Sequence, residues 1–247
     1  GHVAIWSIVK TAELFLLSLQ NTPMVLFKGA VQQVMPIVVA HNVTINQPLY
    51  STAAMNRPIR LDIAPGHIND RTMSFMINII DEQTKQVLAT AQRQFTFFDV
   101  HRKKASPIPG HISESLGHRF NPKVTPIHYI SPEPETPIHK VNLTVRHSDS
   151  DQEYHVTNSV YFKYCMDAAA TICQKGILRN FSGDIFDRQV ANVIARHQGE
   201  CFPEEELEVT LWEDNSHSNI LHFLILKGQK KVFSASFTFC RLASSKL

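Results

Sequence analysis

Arg146-His147-Ser148-Asp149-Ser150-Asp151-Gln152-Glu153-Tyr154-His155-Val156-Thr157-Asn158 stands directly ahead of an apolar helical pattern over 160–174. In that pattern Tyr161, Tyr164, Cys165, Ala168 and Ile172 fall on one stripe. Acids, a histidine and an asparagine are therefore gathered at the mouth of a helix. Unpaired backbone N–H groups point outward there, so such mouths hold groups that handle developing negative charge. A second polar pair, Glu200-Cys201, ends a later strand-like run. The combination points to chemistry on an acyl substrate.

Working outward, the second half reads as this helix among strands at 140–146, 190–198, 207–212, 220–227 and 231–240, with Gly228-Gln229-Lys230 as a hairpin turn. Glu213-Asp214-Asn215 followed by His217-Ser218-Asn219 reads as another hairpin tip. The first half has the same order. Ile5, Val9, Ala12, Leu16 and Leu19 recur at helical spacing, and strands are expected at 34–43, 57–63, 73–80 and 86–98. Asp81-Glu82-Gln83-Thr84 makes the turn before the last strand, and Gly66-His67-Ile68-Asn69-Asp70 reads as a turn between strands.

Between the halves, 107–137 holds Pro107, Pro109, Pro122, Pro126, Pro132, Pro134 and Pro137, more than half of the chain's 13 prolines. Proline removes a donor and fixes φ, so this stretch is expected as an extended linker rather than a sheet centre. The organisation is then 1–106, a first unit whose N-terminal strand is truncated; 107–137, the linker; and 138–247, the unit carrying the site. The fold class is α+β, a duplicated unit in which a long helix is wrapped by a curved antiparallel sheet. A single mixed α+β domain is the alternative. Two such units would pair edge to edge or face to face, with ligand entering at the seam.

Composition narrows the function. A formal charge of +2 leaves no footprint for nucleic acid. The cluster His101-Arg102-Lys103-Lys104 reads as a solvated loop. Cys165, Cys173, Cys201 and Cys240 show neither CxxC nor metal-ligand spacing, which fits free thiols in a reducing compartment. No metal or cofactor is implied. There is no Gly-rich phosphate loop, and neither Ser150 nor Ser159 sits in a Gly-x-Ser-x-Gly turn. The apolar run 5–19 is interrupted by Lys10, Glu13 and Ser18 and is too short to span a bilayer. Gly1-His2-Val3 begins without Met, and the expected location is intracellular, cytoplasmic or organellar, with a targeting segment upstream.

These residues carry a family likeness. The second half resembles the hotdog fold, and in particular the double-hotdog acyl-acyl carrier protein thioesterases. Their second unit has a strand, an Asp-x-Asp-x-Asn-x-His-Val-x-Asn run, a helix opening with a Tyr, and a Glu-Cys pair after the helix. Here stand Asp149, Asp151, His155, Val156, Asn158, Tyr161 and Glu200-Cys201. The first half matches more loosely, through 59–63, the Asp81 turn and 97–109.

The resemblance implies a tandem hotdog that hydrolyses an acyl thioester of coenzyme A or acyl carrier protein. It makes Asp151, His155 and Glu200 the catalytic candidates: the acid near the thioester, the group meeting its carbonyl or oxyanion, and the general base. Asn158, Tyr161, Cys201 and Glu153 are the substrate-binding candidates, Cys201 standing where a nucleophile has been assigned. One position departs: the family's Asn is Glu153, and an ionised carboxylate cannot donate to a carbonyl.

The residue chemistry agrees in outline. Thioester hydrolysis needs an activated water and donors aimed at the carbonyl oxygen. Asp151, Glu153 and Glu200 offer carboxylates, and backbone N–H groups near 156–158 offer donors. The plain alternative has Asp149 or Asp151 capping a turn and Asn158 as the helix N-cap. Arg102, Lys103, Lys104, Arg188 and Arg196 are available as a rim for a phosphate-bearing carrier. A non-catalytic acyl-chain binding module is the competing function, motivated by Glu153. An inward Glu153 favours binding, and an outward one favours the enzyme. A homodimer is compatible with either reading.

Overall fold

The computed structural model describes residues 4–18, 34–51, 57–134 and 137–241. Gly1-His2-Val3 and Leu19 lie outside the described residues. In chain order the elements are helix α1 (Ile5–Ser18) and strands β1 (Val34–Ile45), β2 (Ile59–Ile68), β3 (Thr72–Asp81), β4 (Val87–Asp99) and β5 (Lys104–Ser106). Helix α2 (Gly110–Leu116), strand β6 (His139–Thr144) and helix α3 (Asn158–Gln174) follow. Strands β7 (Val190–His197), β8 (Glu206–Glu213), β9 (Ile220–Lys227) and β10 (Lys230–Phe239) complete the chain.

Among the described residues the strands form one sheet in the order β2-β3-β4-β1-β7-β10-β9-β8-β6, with β5 on β4. Every pairing is antiparallel. The halves meet edge to edge through β1 and β7, from Ala40 opposite Arg196 to Thr44 opposite Asn192. Asn192 Nδ2 donates across this junction to Asn42 Oδ1 at 2.9 Å and to the Val43 carbonyl at 3.0 Å.

Both helices lie on one face of the sheet and pack against each other. Ile5, Ile8, Val9 and Ala12 bury the α1 stripe; Tyr161, Phe162, Cys165, Ala169 and Ile172 bury that of α3. A helix of this length is marginal alone, so packing decides it. Burial of Phe162 and Ile172 contributes about 1.5–3 kcal/mol each. Phe162 lies against Phe233 and Phe237 of β10, with centroids 5.3 and 6.3 Å away.

The proline-rich stretch first packs Ile112 and Phe120 into the core, with Phe120 against Phe75, and from Asn121 to Tyr129 it crosses the opposite, outer face of the sheet. Asn121 N donates to Gly66 O at 2.8 Å, Gln92 Nε2 donates to Thr125 O at 2.8 Å, and Ile127 N donates to Gln94 Oε1 at 2.6 Å. Tyr129 Oη then meets Ser236 Oγ at 3.0 Å, having passed from the first half to the second. Ile127 and Tyr129 pack on Ala40 and Ile194 over the β1–β7 junction. Side chains of the outer face thus supply bonds that a proline-rich segment cannot make with itself.

Three expectations are corrected. The stretch 107–137 is not extended throughout, because α2 forms within it around fully buried Ile112. Gly66-His67-Ile68 is strand rather than turn, the turn being confined to the residues that follow. A Cβ on Gly66 would lie 2.4 Å from Ser74 Oγ, so this glycine serves close approach, not chain reversal. Lys104 opens β5 instead of belonging to a solvated loop.

Candidate active site

After β6, the Val145 amide donates to Glu205 O and its carbonyl accepts from Glu204 N, both at 2.9 Å. A 3-10 turn at His147–Asp149 then swings Asp149 inward. Tyr164 Oη donates to Asp149 Oδ2 at 2.9 Å, Lys163 Nζ lies 3.5 Å from Oδ1, and Thr157 N donates to Asp149 O at 3.1 Å. The buried Asp149 carboxylate therefore ties the start of the 149–157 loop to α3, and the Asp149 backbone carbonyl closes the loop onto its far end at Thr157. Burial first, and Asp149 after it, push the Tyr164 phenol up, so it stays a donor.

Asp151 has a different task. Its exposed Oδ1 accepts from Glu153 N at 2.9 Å and His155 N at 3.1 Å, and its own N–H donates to His155 O at 2.9 Å. This closes a tight turn in which Tyr154 takes φ +63 and stands 67% exposed. Glu153 is exposed, so its carboxylate lies in solvent. The position that departs from the family pattern places no second negative charge inside.

The loop is laid against residues 200–202. Val156 N donates to Cys201 O at 2.9 Å, and the half-buried His155 ring meets Phe202 edge-on at 5.0 Å. The His155 ring nitrogens have no hydrogen-bond partner among the described residues. Residues 200–202 reach this place because β7 ends in a bulge, where Gln198 N and Gly199 N both donate to Val232 O, at 2.8 and 3.1 Å. A Cβ on Gly199 would stand 3.0 Å from Val232 Cγ1, so glycine lets the chain run close along β10.

Glu200 is exposed, and its backbone carbonyl accepts from Lys227 Nζ at 2.9 Å. Lys227 also binds both Glu205 oxygens, at 3.1 and 3.0 Å, and stands 5.4 Å over the Phe202 ring. Sequence reading missed this clamp. Its available signal was a long cation on the last residue of a strand, able to reach back along the sheet edge.

Cys201 is fully buried, and burial pushes its thiol up even though the Tyr161 hydroxyl bond and Lys227 act the other way. The group is held as a thiol, which is a poor nucleophile. Tyr161 is likewise kept neutral, by burial and then by Cys201. The N-cap position belongs to Thr157, with an extended backbone, so Asn158 is not the cap but the first helical residue. The fold thus brings His155, Tyr161, Glu200 and Cys201 to one place and ties Asp151 to it through the turn backbone. No hydrogen bond joins Asp151 or Glu200 to the His155 ring.

Other features are accounted for separately. A groove of about 490 Å³ between β6 and α3 is lined by Val141, Leu143, Arg146, Asp149, Lys163 and Tyr164 among others, but not by His155 or Glu200. On the outer face, Asp214 Oδ2 lies 3.0 Å from His222 Nε2, and His222 Nδ1 lies 2.7 Å from Ser236 Oγ. That is the bond order of a hydrolytic triad. Ser236, however, is buried, and its hydroxyl also meets Tyr129 from the proline-rich crossing, which makes the chain of bonds a clasp. Of the proposed rim cations, Arg102 sits 3.7 Å from Asp99 and Arg188 Nη2 donates to Asn180 O at 3.3 Å. Lys227 and Lys230 are the cations felt by Cys201. Among the described residues no group of His, Cys, Asp and Glu is placed to hold a metal ion, and no helix is long and apolar enough to cross a membrane.

No protein-family model matches the chain, and no curated protein sequence matches it. Solved structures do. A 12:0-ACP thioesterase from Umbellularia californica superposes with a TM-score of 0.73 at 15% identity, covering 97% of this chain and 90% of that one. A structure described as a putative oleoyl thioesterase from Lactobacillus plantarum gives 0.72 at 14% identity over 99% and 91%. An acyl-ACP thioesterase from Bacteroides thetaiotaomicron gives 0.70 at 12% identity over 97% and 91%. Across nearly the whole of both chains the likeness is one of fold. The chain has the α+β tandem hotdog architecture of these proteins.

Proposed function

We propose that the chain hydrolyses an acyl thioester, with water activated by Glu200 and the thioester carbonyl met by His155. The observation that carries this reading is the Val156–Cys201 backbone bond, which lays His155 beside Glu200–Phe202 at the mouth of α3. Glu200 takes a proton from water as the oxygen attacks the carbonyl carbon. The resulting oxyanion is met by a His155 N–H and by first-turn N–H groups of α3, which have no intrahelical carbonyl to bind. Collapse breaks the C–S bond, and the proton held by Glu200 returns to the departing sulfur.

Asp151 acts through the turn that presents His155. Cys201, held as a buried thiol, serves as a wall and not as a nucleophile. The outward Glu153 removes the repulsion that would oppose an oxyanion. The fold neighbours described as 12:0-ACP and oleoyl thioesterases support a fatty acyl group. Coenzyme A and acyl carrier protein both bring phosphate, for which Lys230 is an exposed cation on this side.

One observation favours the binding-module reading: no described carboxylate is bonded to the His155 ring. Such bonds are often long in empty sites and tighten with substrate. The two readings part in one experiment. The protein is offered acyl-CoA and acyl-carrier-protein thioesters while thiol release is followed, alongside His155→Ala and Glu200→Gln. Losses of at least roughly tenfold in kcat/KM are expected for each. Tight binding without turnover, or rates indifferent to both changes, would overturn the proposal.

A further inference from the structure

A second cluster lies inside the molecule at the seam, on the face that carries the helices. His41 of β1 stands opposite Arg93 of β4 and opposite Ala195 of β7 in the strand register. His197 follows on the same face of β7, its ring centroid 5.2 Å from that of His41. Arg93 Nη2 lies 3.4 Å from Glu13 Oε1 of α1. His41 and Arg93 are 2% and 7% exposed. Around them stand Phe162, Tyr161 and Phe233, with centroids 5.5 Å from His41 and 5.3 and 4.9 Å from His197 respectively.

Three buried nitrogens of this cluster, His41 Nε2, His197 Nε2 and Arg93 Nε, have no hydrogen-bond partner among the described residues. Buried polar groups without partners weaken a fold, and three together in an aromatic shell call for a physical reason. Arg93 Nε–H can only donate, so what completes the cluster must offer an acceptor oxygen. Electrostatics restrict that oxygen further. Arg93 and Glu13 already neutralise each other, and burial keeps both imidazoles uncharged. A carboxylate would bring an uncompensated charge into this interior; a hydroxyl or ketone would not.

The cluster is also contiguous with the candidate site. His197 touches Tyr161, and the Tyr161 hydroxyl meets Cys201, whose carbonyl holds the His155 loop. Along this chain of contacts Tyr161 is the aromatic side chain that stands between Cys201 and the cluster.

We propose that the acyl group this protein takes carries a neutral oxygen, a hydroxyl or a ketone, along its chain, and that His41, His197 and Arg93 bind it. The inference rests on the acyl-thioester reading and names the acyl class within it. Non-hydrolysable thioether analogues of acyl-CoA test it without requiring turnover. A plain twelve-carbon chain is compared by calorimetry with chains bearing hydroxyl or oxo groups at successive positions and with an ω-carboxyl chain. At least one hydroxyl or oxo isomer is expected to bind about tenfold tighter than the plain chain, and the ω-carboxyl chain more weakly.

In His41→Phe, and separately in His197→Phe, the ratio of oxygenated to plain affinity should fall toward one, with folding checked by circular dichroism. Equal affinity for plain and oxygenated chains would mean that buried water alone satisfies the nitrogens, and would overturn the inference. A preference that survives in both variants would overturn it too. If plain thioesters are hydrolysed and no oxygen preference is found, the inference fails alone. If no analogue binds, the inference and the acyl reading fail together.

Discussion

On the outer face of the sheet, His222 uses both ring nitrogens, one toward Asp214 and one toward Ser236, and Ser236 in turn meets Tyr129. His67 does the same, with Nδ1 2.8 Å from Ser74 Oγ and Nε2 2.9 Å from Thr72 Oγ1. On the inner face His41 is buried and His197 half-buried in the same sheet, yet their Nε2 atoms, both shut off from solvent, have no partner among the described residues. Burial is common to both faces, so burial does not separate a structural histidine from one kept for a ligand. The number of unused hydrogen-bonding positions does. The outer bonds fasten a proline-rich crossing to the strands beneath it; the inner ones remain available.

The sharpest break of this comparison lies at Arg93. Its pair with Glu13 has both side chains under a tenth exposed. Arg93→Met leaves the Glu13 carboxylate alone in the core, and a loss of about 3–5 kcal/mol is expected in urea unfolding. The double change Glu13→Gln with Arg93→Met removes both charges and should recover most of it. A double variant no more stable than Arg93→Met would show that the pair does not act as a unit.

Acidity gives the next effect. Burial, then Arg93, lowers the His197 pKa to about 3, and burial with His197 and Arg93 lowers that of His41 well below its ordinary value. In the unfolded chain both take up protons near pH 6.5. The unfolded state therefore binds more protons below that pH, so stability is full above about 6.5 and is lost as pH falls toward 3. The slope approaches roughly 1.4 kcal/mol per pH unit for each histidine. The outer face responds later. Burial would raise the Asp214 pKa, but its bonds from His222, Ser216 N and His217 lower it to about 2, so its contribution fades only below the ordinary carboxylate range. Denaturation midpoints from pH 7.5 to 4.5 should fall in the wild type and flatten in a His41→Phe, His197→Phe double variant. A flat wild-type profile would contradict the buried neutral pair.

The two faces were also unequally legible in the sequence. Alternation and helical stripes found the strands and helices, with β9 matching its expected bounds, because one-sided burial writes itself into period. Gly66 misled, since a glycine needed for close approach to Ser74 reads locally like a turn. Helix α2 was hidden among prolines that lie at and before its start, where they are tolerated. At the site, the loop carrying His155 lies against Cys201 through the Val156 N–H, while the buried anchor is Asp149 and the second Asp of the run closes a turn. The cluster of Glu13, His41, Arg93 and His197 had no signature at all. Its members come from four separate elements, and only the pairing of β1 with β4 and β7 makes them neighbours.

The smallest effect is expected within the closed cluster, and it tests what closure means. Ser236 Oγ is 2.7 Å from His222 Nδ1 and 3.0 Å from Tyr129 Oη, so it has two partners. His222→Leu removes one of the two Ser236 partners and leaves one oxygen of the half-buried Asp214 unpaired, at an expected cost of about 2–3 kcal/mol. Tyr129→Phe keeps the ring packed on Ala40 and Ile194 and removes one bond, while Ser236 keeps His222. Burial raises the Tyr129 phenol to about 12, so the lost group is a neutral donor and no charge is stranded. The expected cost is about 0.5–1.5 kcal/mol, with faster amide exchange at Ile127, whose N–H donates to Gln94 just before the clasp. Equal losses in the two variants would mean that Tyr129, rather than the histidine, organises the outer network. The contrast between a satisfied and an open histidine would then have to be drawn from the inner face alone.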